Sequence, residues 1–187
     1  MSVGQSSMGQ FLLNQVALSN AIRRLWVDSN MWVRSLIFSI LFDIGDRDVI
    51  QAQLRKNADA FATLFEQFYG QQTGQRVRTL FLNYMQSVEA MIQAYKDNDL
   101  PAVAVQNENL YRFADDLSQL FANINRYLDK MTLQAMLYEL INLTEYEIMH
   151  IHTGEFEQSA ENYDEIMNQA YRVSDELTYG VLRHFQV

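Results

Sequence analysis

The chain has 187 residues, 49% of them hydrophobic and 20% charged, with a formal net charge of −9 and no cysteine. That composition fits a folded globular chain and excludes a disordered one, and the missing cysteine excludes disulfides and thiolate chemistry. The charge is uneven: residues 1–94 carry eight Lys/Arg and seven Asp/Glu, and residues 95–187 carry six and sixteen. So acidic a second half repels phosphate backbones and argues against nucleic-acid binding.

Residues 1–19 read as a flexible N-terminal segment with room for a short helix over Phe11–Leu18. Residues 20–187 read as a single helical-bundle domain. Helix-start residues recur at Asn20, Thr73 and Asp129, where a side-chain oxygen can accept from a free backbone N–H. Helix-stop residues follow at Gly45, Asn98 and Gly154, and again at Gly70, Asn123 and Gly180. Glycine and asparagine tolerate the left-handed conformation that closes a helix. An acid follows each first stop, at Asp46, Asp99 and Glu155, placed to cap the next helix. Pro101 is the only proline and falls in a first helical turn, where a missing N–H matters least.

The expected architecture is all-α: six long antiparallel helices in three hairpins. The first arm spans about residues 21–44, with Ile22, Trp26, Ser29, Leu36, Ile40 and Ile44 on one stripe. The second spans about 48–69, with Asn57 as a candidate start of a fresh, bent segment. Gln71–Thr73 would be a short connection. Hairpin two spans about 74–97 and 100–122, and residues 124–128 would be the longest loop between hairpins. Hairpin three spans about 130–153 and 155–185. No stretch alternates with the period of a strand. The most apolar run, Ser35–Phe42, is far short of the roughly 20 residues a membrane span needs. No basic residue precedes Arg23, which argues against a secretory signal and for a cytoplasmic protein without a transmembrane segment.

Little in the chain points to catalysis. A ferritin-like metal site needs Glu-x-x-His on two helices, and only Glu147-Ile148-Met149-His150 fits. Glu147 and His150 are therefore the metal candidates, and the adjacent acid pairs read as solvated surface. No Gly-x-Ser-x-Gly or Gly-x-x-x-x-Gly-Lys occurs, and no cofactor is implied. Trp26 and Trp32 could line a pocket for a small apolar ligand, although aromatic residues on such a stripe usually fill core.

Several short segments carry a resemblance: Leu25-Trp26, Met31-Trp32-x-Arg34, Phe68-Tyr69-Gly70, Met136-Leu137-Tyr138 and Thr144-Glu145-x-Glu147, with Tyr163-Asp164-Glu165-Ile166 and Asn168-Gln169-Ala170. With these the chain resembles a family of small, uncharacterised all-helical proteins of spore-forming Firmicutes, often mislabelled "acetylglutamate kinase". An amino-acid kinase needs an α/β sheet and glycine-rich phosphate loops, and the pattern here has neither. The resemblance implies a histidine on the first arm of each hairpin in relatives, at places held here by Ser29, Tyr84 and Leu140. It supports the fold and implies no activity. The expectation is a non-enzymatic binding or scaffold module, working as a homodimer or with a basic protein partner. The alternative is a metal-dependent or small-ligand bundle centred on Glu147 and His150.

Overall fold

The computed structural model describes residues 3–186, with side chains from Asn14 onward. Its six helices are α1 (Val3–Leu41), α2 (Arg47–Tyr69), α3 (Gln71–Lys96), α4 (Leu100–Ile124), α5 (Lys130–Thr153) and α6 (Phe156–Phe185). No strand occurs among the described residues, and none of these helices is long and apolar enough to cross a membrane.

Consecutive helices run antiparallel. Arg47 near the start of α2 meets Glu89 near the end of α3, and Asn162 early in α6 meets Leu143 in α5. Helices α1, α3 and α5 all touch one another, whereas α2, α4 and α6 each lie between two of them. The result is an inner trio pointing one way and an outer trio pointing back. The core runs along the inner trio through Ile22, Leu36, Ile37, Val77, Val88, Met91, Leu137 and Ile148, each with 4% or less of its surface exposed.

Turn chemistry explains most helix ends. The Asp129 carboxylate accepts from the Thr132 N–H at 2.8 Å, and Asp99 accepts from the Ala102 N–H at 3.1 Å, with Pro101 in that first turn. Gly45, Asn98 and Gly154 all take positive φ at 89°, 57° and 79°. Asp46 and Glu155 precede helices without side-chain caps.

Other expected boundaries are corrected. Asn20 begins nothing: α1 is one helix of 39 residues that takes in Phe11–Leu18 and runs through position 20, its buried stripe continuing from Leu18 to Ile22. Residues 1 and 2 lie outside the described ones. Ile44, expected on that stripe, lies past the helix end and is exposed. Thr73 is a buried interior residue of α3 whose hydroxyl donates to the Tyr69 carbonyl. The link between α2 and α3 is therefore Gly70 alone, at φ 84°. Asn57 does not restart α2; its amide donates across to the Leu25 carbonyl of α1 at 3.0 Å. Asn123 lies inside α4, which ends at Ile124, so the loop to α5 is 125–129.

Gly180 does not end a helix but sits within α6, where a Cβ would come 2.4 Å from Leu128. It is small because the 125–129 loop presses on α6 there. Gly74 has the same role in α3, where a Cβ would stand 2.9 Å from the Ala62 carbonyl of α2. That close approach makes α2–α3 the most extensive helix pairing, although these helices belong to different expected hairpins.

Candidate functional site

Glu147 on α5 points into the interior with 1% of its surface exposed. Its Oε1 pairs with the Arg34 guanidinium of α1 and accepts from the Ser159 hydroxyl of α6 at 3.0 Å. Its Oε2 accepts from the Asn162 amide at 3.3 Å. Arg34 also reaches the Ser159 carbonyl at 3.4 Å, and its guanidinium lies 4.5 Å from the Tyr163 ring centroid and 5.4 Å from that of Phe38. A buried charge is tolerated only when paired and hydrogen-bonded, and here both carboxylate oxygens are engaged. Burial pulls the Arg34 pKa below its ordinary value and pushes the Tyr163 hydroxyl above its own. Each of the three helices contributes to this knot, so it fixes the register of α1, α5 and α6.

His150 is turned elsewhere. Its Nδ1 lies 2.8 Å from a carboxylate oxygen of Glu155, whose pKa that hydrogen bond holds below the usual range. Glu147 and His150 thus serve different partners, and among the described residues no three His, Asp or Glu side chains are grouped to hold a metal ion.

The tryptophans also separate. Trp26 is buried with its ring edge-on to Phe61 at 5.4 Å and Phe81 at 5.6 Å. Phe61 and Phe81 stack at 4.0 Å, and Phe113 meets Phe81 at 5.4 Å. This is an aromatic core joining α1 to α4, and among the described residues the Trp26 indole N–H inside it has no acceptor. Trp32 is half-buried against the core and is not one of these rings. Ser29, Tyr84 and Leu140 are all buried on the inner helices. Burial pushes the Tyr84 hydroxyl up to about 12.

A group of exposed apolar side chains lies where three turns meet at one end of the bundle. Lys96 at the end of α3 donates to the Ile40 carbonyl of α1 at 2.7 Å and pairs with Asp43. The Phe42 ring lies 6.4 Å from that of Phe156, and Tyr95 lies 6.2 Å from His152. Phe42, Ile44, Val49, Leu100 and Phe156 are each at least half exposed there. Exposed Asp43, Asp46, Asp48, Asp97, Asp99, Glu155 and Glu157 stand among them. Sequence reasoning assigned three of the acids, Asp46, Asp99 and Glu155, to capping and missed the exposure of the apolar residues, whose signal was their position beside turn glycines and asparagines. No family model matches the chain, and neither does any curated protein or solved structure.

Proposed function

We propose that the protein is a non-enzymatic helical interaction module that docks a partner protein on its loop end. The observation that carries this reading is the group of five large apolar side chains exposed among seven acids at three adjoining turns and the helix starts beside them, with the Phe42 and Phe156 rings 6.4 Å apart. Contiguous exposed apolar surface on a folded chain marks interaction sites, and singly scattered apolar residues do not. The acids set the chemistry of the partner: an apolar centre flanked by Lys or Arg. Like charge disfavours a symmetric pairing of two such ends. The metal-dependent alternative draws less support, because the Glu147 carboxylate is already engaged by Arg34, Ser159 and Asn162.

Fluorescence anisotropy with labelled amphipathic helical peptides tests this. A Lys-flanked apolar peptide is expected to bind, and its Glu-flanked counterpart is not. A Phe42→Ser, Leu100→Ser, Phe156→Ser variant should weaken binding by about tenfold or more, equal to about 1.4 kcal/mol. These side chains are exposed, so circular dichroism should be unchanged. Equal binding of both peptides, or no loss in the variant, defeats the reading.

A further inference from the structure

We propose that the cleft between α3 and α4 is a binding site for a neutral, hydroxyl-rich ligand of the oligosaccharide class. This is independent of the loop end. The cleft has a volume of about 510 Å³, within the range of small-molecule sites. It follows both helices from Leu80 to Ala90 on α3, about 15 Å at 1.5 Å per residue.

Its two walls differ in a useful way. On the α4 wall the polar groups are already held in line: Asn109 donates to Gln106 at 3.2 Å, and Arg112 donates to Asn109 at 3.3 Å. On the α3 wall Asn83 and Gln86, both exposed, and Ser87 face the cleft, and among the described residues none of them has a protein hydrogen-bond partner. Ser87 is half-buried, and its hydroxyl does not turn back onto its own helix as those of Thr79 and Thr144 do. Small Ser87 and Ala90 leave the gap unfilled, and Leu80 and Phe113 give it an apolar floor.

Carboxamides and hydroxyls each donate and accept. So does every hydroxyl of a sugar, which also has an apolar face for such a floor. The charges of the cleft, Arg112 and Asp116, are opposite in sign. With a molecular charge of −9 around it, nothing here favours an anion. The local Gln106–Asn109–Arg112 bonds on one wall partly order those side chains before a ligand arrives.

The experiment is amide-resolved NMR titration of the full chain with maltotriose, cellotriose and chitotriose, with a neutral Ser/Gln peptide as a separate arm. At least one trisaccharide should shift residues 80–90 and 106–116 with a Kd of roughly millimolar strength. Asn83→Leu with Gln86→Leu should weaken it about tenfold or more, whereas Gln158→Leu, far from the cleft, should not. Both altered positions are exposed, and an unchanged spectrum elsewhere confirms folding. Absence of any trisaccharide shift, shifts mapping outside the cleft, or binding of the peptide alone overturns the proposal.

Discussion

Arg34 and Glu147 illustrate how one side chain comes to depend on another. Arg34 keeps about a quarter of its side chain in solvent, whereas Glu147 keeps almost none. Removing the arginine strands the carboxylate. Arg34→Met is therefore expected to lower unfolding free energy by about 3 kcal/mol, the low end for breaking a buried pair because Arg34 is partly solvated. Arg34→Met with Glu147→Met should lose less than the two single changes summed, since no orphaned charge remains. Urea titrations of the four proteins measure both. Tyr84 makes a different demand. Its hydroxyl ionises near 10 unfolded and about 12 folded, so the folded state holds the proton longer. Its contribution is complete below pH 10 and is lost as pH rises from 10 to about 12. Tyr84→Phe should flatten the fall of thermal midpoint over that window, as read by circular dichroism.

Among the elements, α6 shows why a glycine can mean two things. Gly154 and Gly180 look alike in sequence, yet Gly154 closes α5 at φ 79° and Gly180 is helical with Leu128 against it. Gly154→Ala strains the backbone and Gly180→Ala overpacks a contact. The second should destabilise by about 1–3 kcal/mol, with part of the loss restored by adding Leu128→Ala, measured by chemical denaturation. Turn residues were legible where the backbone needed positive φ, as at Gly45, Asn98 and Gly154. They misled where a tertiary contact had chosen the residue, as with Asn57 reaching Leu25, or Gly180 making room for Leu128. Asn20 misled because nothing stops a helix already under way from passing an exposed asparagine.

For the whole molecule, the all-α class and the antiparallel succession were legible because apolar stripes and caps are local. The arrangement into inner and outer trios was not, since no local pattern says which helices meet at a distance. The same limit applies to the candidate residues. Glu147 was recognisable as inward-facing, but its partner lies 113 positions away in Arg34, and no spacing rule reaches so far. The exposed apolar end was hidden for a related reason: a residue such as Ile44 continues the helical period yet falls just past the helix end.

The seat of α6 between α5 and α1 has a consequence for how the chain matures. Until Phe156–Phe185 has left the ribosome, one flank of both helices lacks its cover, and Glu147 lacks Ser159 and Asn162. Nascent chains at that stage carry a bare greasy furrow, the kind of surface that holdases bind and that clumps when they are scarce. A chain cut after Gly154 should scatter light at concentrations where the full protein stays clear, and adding the missing segment as a peptide should clear it.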